Sequence, residues 1–224
     1  MPMTNESTSL IDILSHGGWV MVPLLLCSCL AVGIILERLF WGLRRSRVMP
    51  QALVEEIRRL VTARKFEEVY GLSRGNNTPV ARIIAVAMGK FGKSKEEIAE
   101  AVQLAGRREA SLLQSYLGLL GSIASVSPLL GLLGTVFGMI RLFGVASVAG
   151  MGSGAQLSGG ISEALIATAT GLVVAIPSLV FYRYFIGKSK QLIFEMEHLA
   201  VEVIHDLDAA QQNILSPLSK KASS

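Results

Sequence analysis

Charge is scarce in this sequence. Asp, Glu, Lys and Arg make up 17% of its 224 residues, against about 25% in soluble domains. Cysteine is rarer still. Cys27 and Cys29 stand two positions apart in one apolar run, where helical residues do not share a face, and no His or Asp stands near them at metal-ligand spacing. They read as lipid-facing or packing residues, and no metal site is expected. The three histidines, His16, His198 and His205, are isolated and read as surface or interface residues. There is no GxSxG, no phosphate loop and no pair of catalytic carboxylates, which leaves an enzyme or a bound cofactor without support. Zinc-finger spacing, an RNP-type sequence and a basic stripe interleaved with aromatics are missing too, so the pI near 9.2 does not imply nucleic acid. Lys and Arg are absent from residues 1–36, where Glu6 and Asp12 carry the charge. A signal peptide has a basic segment ahead of its apolar core. Here the basic cluster, Arg38, Arg44, Arg45 and Arg47, comes after it. The first apolar run is therefore read as a retained span with its N-terminus outside.

Hydrophobic residues are abundant, at 51%, and they come in runs. A helix needs about 20 residues to cross about 30 Å of hydrocarbon. Gly17–Leu36 is uncharged, Ala110–Ile140 exceeds one span, and Leu142–Tyr182 carries a single charge, Glu163. The Gly- and Ser-rich stretch Gly144–Gly160 is a poor helix former and reads as the turn between the second and third spans. The expected fold is all-α, a polytopic membrane protein with transmembrane helices at 18–39, 118–142 and 159–184 and long helices extending into the cytoplasm.

Orientation follows from the excess of Lys and Arg on cytoplasmic loops. Of the 21 basic residues, 15 lie between Arg38 and Arg108, and Arg183, Lys188 and Lys190 follow the third span. Leu142–Ser162 has none. Segments 40–117 and 185–224 are thus expected in the cytoplasm, and 1–17 and 143–158 in the periplasm. The net charge of +7 from Arg38 to Glu109, 15 basic against 8 acidic residues, is accounted for by topology and anionic headgroups.

The cytoplasmic segments read as helices. Leu53, Ile57, Leu60 and Val61 recur at helical spacing, opposite Glu55, Glu56, Arg58 and Arg59. Pro79 suits the first turn of a helix through Phe91 that Gly92 ends, and Ser94 to Glu97 has the pattern of a capping box. No proline follows until Pro128, so one helix is expected to run from there into the second span. The tail from Ser189 to Gln212, with Leu192, Met196, Leu199 and Val203, is expected to continue the third. The apolar stripes of these extensions predict bundling with neighbouring subunits.

The small and polar residues of the last two spans are the informative ones. Gly131, Gly134 and Gly138 follow helical spacing, and small residues let helix backbones approach closely in lipid. Ser122, Ser125 and Ser127 precede Pro128, and Thr135 follows it. Each hydroxyl either bonds its own backbone or lines a polar path. Glu163 is the one acid in the uncharged stretches of these spans. An ionisable group at membrane depth is costly and is a functional candidate by default; the alternative is an interfacial acid paired with Arg141 across the hairpin. At about 100° per residue, Glu163 and Thr170 share a face while Thr168 lies about 140° away, so one lumen is not lined equally by all three.

Two segments carry a resemblance. One is Pro128-Leu-Leu-Gly-Leu-Leu-Gly-Thr-Val-Phe-Gly-Met-Ile140 and the other is Ile161-Ser-Glu-Ala-Leu-Ile-Ala-Thr-Ala-Thr-Gly-Leu-Val-Val-Ala-Ile-Pro177. Together they resemble the paired signatures of the MotA/TolQ/ExbB proton-channel family. The start of the first span from Gly17 and its Glu37-Arg38 end are similar to the ExbB branch, and three spans with an outside N-terminus resemble ExbB and TolQ. The resemblance runs from about residue 15 to 208. It implies a homopentameric ring lined by spans two and three, around two single-span helices of an ExbD- or TolR-like partner that each carry a membrane acid. A TonB- or TolA-like energy transducer is implied as a further partner. By motif position, Thr135, Glu163 and Thr168 correspond to the family's polar channel residues. Thr170 adds a hydroxyl, and with it a water site, where many relatives are apolar, and Arg183 stands where many have Asn. Gly131, Gly134, Gly138, Pro128 and Pro177 are the packing positions.

A proton crossing the membrane potential is worth about 2.3 kcal/mol per 100 mV, enough to shift a two-state helix arrangement. The function implied is the channel or stator subunit of a proton-motive-force-driven motor in the bacterial inner membrane, for outer-membrane transport or envelope maintenance. A small-solute exporter would show an internal repeat or broken helix pairs, and neither is found. A non-conducting scaffold would leave Glu163 dispensable. The topology is testable directly: a reporter fused after Arg47 that works only in the periplasm is expected to be silent, and its activity would overturn the assignment.

Overall fold

The computed structural model describes residues 18–149 and 154–222. The expected 1–17 segment, with His16, and positions 150–153 of the expected 143–158 loop lie outside them. All regular structure among the described residues is helical. In chain order the elements are α1 (Met21–Glu37), a π-helical turn (Arg38–Gly42), α2 (Arg45–Val48), α3 (Gln51–Thr62), α4 (Phe66–Arg74), α5 (Pro79–Gly89), α6 (Lys95–Gln114), α7 (Leu117–Ala149) and α8 (Gly154–Ala222). Two units divide the chain: Met1–Glu37 with Tyr116–Tyr184, and Arg38–Ser115 with Phe185–Ser224.

The first unit has the polarity of a protein in lipid. Its helices include three apolar stretches long enough to cross a membrane, beginning at Met21, Leu117 and Ser158. Val22, Leu129 and Val173 are 63–71% exposed, while Leu24, Leu117, Leu120, Ala164 and Ala167 are buried. In water such exposed side chains would be unfavourable; in hydrocarbon they are the natural outer surface. Cys27 is half-buried and Cys29 exposed, and neither is in a disulfide. The expected turn at Gly144–Gly160 is helical as far as Ala149 and again from Gly154. Glycine and serine lower helix propensity, yet both helices run on beyond their apolar stretches, which end at Gly144 and resume at Ser158.

The second unit is built as a soluble domain is. α3 packs on α4, α4 on α5 and α5 on α6. Ile57, Val69, Val80, Ile84 and Ile98 are buried, each contributing about 1.5–3 kcal/mol, while Arg58, Arg59 and Glu55 stay exposed. The Thr78 hydroxyl accepts from the Ala81 N–H at 3.4 Å ahead of Pro79, and the Ser94 hydroxyl accepts from Glu97 N–H at 3.3 Å. α5 ends two residues before the expected Phe91, with Gly92 at φ +89° beyond it.

Two expectations are corrected here. The helix from Ser94 does not run unbroken into the second span: α6 ends at Gln114, and Tyr116 adopts φ +60°. Such a conformation costs an L-residue about 1–2 kcal/mol. The end of α6 is held by a buried side chain from far along the chain. Arg38 Nη2 donates to the Ser115 carbonyl at 2.6 Å and to its hydroxyl at 2.9 Å. The tail does continue the third span as one helix, α8, but its apolar stripe is not left for neighbours. Leu192, Met196, Leu199 and Val203 are at most 3% exposed in the single chain, and Arg45–Glu195 and Arg58–Glu202 ion pairs, both at 3.0 Å, flank them.

Arg82 on α5 forks onto Glu109 of α6, Nε to Oε1 at 2.7 Å and Nη2 to Oε2 at 2.5 Å. That hydrogen bond raises the guanidinium above its usual range, with burial opposing and the charge of Glu109 adding to the rise. The Glu109 side chain is 5% exposed and that of Arg82 43%. Removing one partner strands the other, and the buried one suffers more. Arg82→Leu is therefore expected to cost about 3 kcal/mol and Glu109→Gln less, read by thermal unfolding of the solubilised protein; the reverse order would contradict this account.

Candidate functional site

α7 and α8 pack antiparallel through small residues. A Cβ on Gly131 would lie 3.0 Å from the Ala167 carbonyl oxygen and 3.1 Å from Thr168 Cα. On Gly138 it would lie 2.9 Å from Ala164 Cβ, and on Gly134 it would collide with Ala167 Cβ. From the other side, a Cβ on Gly171 would come within 2.6 Å of the Ser127 carbonyl oxygen. The ladder goes on at both ends, with Gly121 under the Tyr182 ring and Gly160 against Leu142. The glycines read from the sequence as packing positions thus join two helices of one chain. Their partners on α8, Ala164, Ala167 and Gly171, are themselves small residues at spacings of three and four, with Gly160 a further four before them, a signal present in the sequence beside the Gly131–Gly138 stripe.

The polar candidates sit on and beside this seam. Thr168 Oγ1 donates across it to the Gly131 carbonyl at 3.1 Å. Thr135 donates to Leu132 O at 2.6 Å and Thr170 to Ile166 O at 2.8 Å, each within its own helix. Ser122 and Ser125 bond back to Gly118 and Gly121 in the turns before Pro128, which lies inside α7. Pro177 lies within α8. The Ser127 hydroxyl is fully buried beside the seam and has no hydrogen-bond partner. Thr135 also borders a shallow outward groove with Val136, Met139, Ile140 and Phe143.

Glu163 is not alone. Arg141 Nη1 donates to both of its carboxylate oxygens at 3.1 Å. Gly18, at φ +69°, lies so close that a side chain there would strike the carboxylate. Trp19 stacks edge-on against Phe137 at 5.3 Å. The beginning of the first span, the end of the second and the beginning of the third therefore meet around one ion pair. The Arg141 side chain is 70% exposed and that of Glu163 23%. Of the two readings of Glu163, the pairing with Arg141 is the geometry observed. Glu163 precedes Thr168 by five residues, about 7–8 Å along the axis. The four polar candidates do not form one hydrogen-bonded cluster; they mark successive levels of the same hairpin. Among the described residues no His, Cys, Asp and Glu group is arranged to hold a metal ion.

Three spanning helices, two of them fused by a glycine seam with hydroxyls and one ion pair along it, define a multi-pass membrane protein. The chain matches the MotA/TolQ/ExbB proton channel family over residues 75–198, more than half of its length, and it belongs to that family. It is similar to an ExbB-like biopolymer transport protein of Synechocystis sp., 39% identical over 175 residues that cover 75% of this chain and 81% of the relative. It is also similar to the biopolymer transport protein exbB1 of Vibrio cholerae, 31% identical over 196 residues and 85% of each chain. The Tol-Pal system protein TolQ of Pseudomonas aeruginosa matches at 40% identity over 98 residues, 44% of this chain and 42% of that one.

The seam has a sharp steric requirement. Gly134→Ala is expected to destabilise the hairpin by about 1–3 kcal/mol through overpacking, and Gly134→Leu to abolish accumulation of folded protein. Gly118→Ala, where a Cβ meets nothing within 4 Å, is expected to be neutral. Folded yield after detergent extraction measures both, and equal yields for Gly118→Ala and Gly134→Ala would contradict the seam.

Proposed function

We propose that this chain is the channel-forming subunit of a motor in the bacterial inner membrane, driven by the proton motive force. It works as a homopentamer, N-terminus in the periplasm, around a single-span ExbD- or TolR-like partner whose membrane acid carries the proton. A TonB- or TolA-like transducer passes the work on, to outer-membrane transport or envelope maintenance. The observation that carries the reading is the polar lining of the α7–α8 hairpin in a chain of this family. Thr135 and Thr170 give their one hydroxyl proton to their own helix backbone, and Thr168 gives its proton to Gly131 across the seam. What a threonine so bonded offers outward is acceptor lone pairs. Such a surface suits a water or the protonated form of a partner carboxyl, which can donate, better than a bare carboxylate. Glu163, neutralised by Arg141, stands about two turns from the level of Thr170 and completes the path at that end of the hairpin. No cofactor or metal enters this mechanism.

The scaffold reading has one observation in its favour: the hydroxyls of Thr135, Thr168 and Thr170 and the carboxylate of Glu163 are all satisfied within a single chain. Function in cells bearing the cognate partner separates the two. Thr135→Val with Thr168→Val is expected to leave protein levels normal and to lower energy-dependent activity about two- to tenfold per lost hydrogen bond. Glu163→Ala is expected to do more harm than Thr170→Val. Retained activity of Glu163→Gln would assign the proton to the partner's acid and leave Glu163 to order water. Full activity of both Glu163→Ala and the double threonine variant would sink the channel role of these residues, and loss of the protein itself would favour the structural one. Native mass spectrometry showing a stable monomer would refute the pentamer.

A further inference from the structure

The second unit carries two exposed apolar surfaces of opposite charge. α4, α5 and α6 border a cleft of about 1100 Å³ whose lining includes Leu104, Arg108 and Leu112 on one stripe of α6, with Arg74 and Lys90. Leu104 is 70% and Leu112 54% exposed. Glu109, the one acid of the lining, is held by Arg82, so Arg74, Lys90 and Arg108 leave the cleft positive.

The last part of α8 is the counterpart. From Gln191 to Ser219 the sequence has no Lys or Arg and five acids; Glu195 and Glu202 are paired with Arg45 and Arg58, so the charge offered to a neighbour centres on Glu197. The face turned away from the buried Leu192–Val203 stripe carries Phe194, 68% exposed, and Val201, 63% exposed, with the exposed Glu197 between them. Scattered exposed apolar residues need no explanation, but large ones sharing a helix face beside a matching charged surface mark an interaction site. The two surfaces cannot meet within one chain. Glu197 approaches α6 at Gly106, and at about 100° per residue Leu104 and Arg108 point about 160° away from Gly106 around that helix.

We infer that the Phe194–Val201 face of α8 docks into the basic cleft of a second copy of this chain, Phe194 and Val201 covering Leu104 and Leu112 and Glu197 facing Arg108. The contact joins unlike surfaces, so each copy gives a helix face to one neighbour and a cleft to the other. A head-to-tail contact of this kind generates a closed ring when its rotation closes, and the charge pair sets the register. The inference rests on the homo-oligomeric reading above and adds the surfaces that build it outside the spans.

Disulfide trapping tests it in full-length protein in membranes, with Cys27→Ser and Cys29→Ser as background. Leu104→Cys combined with Val201→Cys is expected to give a reductant-sensitive ladder of covalent multimers on oxidation, which neither substitution gives alone. Leu112→Cys with Phe194→Cys is the second pair, in case the first variant folds poorly. Dimers from Leu104→Cys alone, as abundant as those of the pair, would reveal a symmetric contact and overturn the inference. No multimers from either pair in protein that native mass spectrometry finds oligomeric would overturn it and leave the ring standing; protein monomeric by that measurement would overturn both. Arg108→Glu is expected to remove most of the ladder and Glu197→Arg in the same chain to restore it; a ladder indifferent to both changes would also overturn the inference.

Discussion

The backbone contact between α7 and α8 is the constraint on which the membrane unit depends. Lipid supplies no hydrophobic force between helices, because a leucine is as well solvated by acyl chains as by protein. What remains is van der Waals contact, and that grows steeply as backbones approach. Gly131, Gly134 and Gly138 on one side and Ala164, Ala167 and Gly171 on the other remove every side chain that would hold the helices apart. The same closeness brings the Thr168 hydroxyl within reach of the Gly131 carbonyl, a bond that larger residues on the seam would prevent. Steric smallness thus comes first, and the interhelical hydrogen bond follows from it.

The seam also decides where charge can stand. Glu163 and Arg141 lie just beyond the Gly138–Ala164 contact, where α7 and α8 are close enough for a guanidinium nitrogen to reach both carboxylate oxygens. A carboxylate alone at such depth would be costly; a partner one turn beyond the seam offsets much of that. Gly18 leaves room for the carboxylate at the mouth of α1. One acid, one base and neutral hydroxyls further along are thus the polar groups of this hairpin, held at successive levels of the seam.

Much of this was legible in the sequence because lipid simplifies the code. Three runs long enough to span, the basic clusters after the first and third, and the glycine stripe of Gly131–Gly138 all report on local chemistry, and the three helices stand where those runs are. The caps at Thr78 and Ser94 and the buried stripe Leu53, Ile57, Leu60 and Val61 were readable for the same reason. What escaped the reading depends on residues far apart. Nothing near Ser115–Tyr116 signals a helix end: there is no proline, and the residue at φ +60° is a tyrosine. The side chain that binds this helix end is Arg38, 77 residues earlier. Whether the glycines join helices of one chain or of two is likewise invisible to spacing, since both arrangements ask for small residues. The pairing of Glu163 with Arg141 was one of two open readings, and separation along the chain could not choose between them.

The tail of α8 shows how the two kinds of surface are kept apart along one helix. Between Ala164 and Val180 its large exposed residues are apolar, as at Leu165, Val173 and Val180. Beyond Phe185 the pattern inverts, with Met196, Leu199 and Leu207 buried and Glu197, His198 and Asp206 outside. The change of solvent is written into a single uninterrupted helix, which therefore needs no loop to mark it. Against that inverted background Phe194 and Val201 are anomalies of the water-facing pattern. In the lipid-facing part the same exposure would be ordinary. It is their position after the inversion, on the face opposite the buried stripe, that gives them meaning.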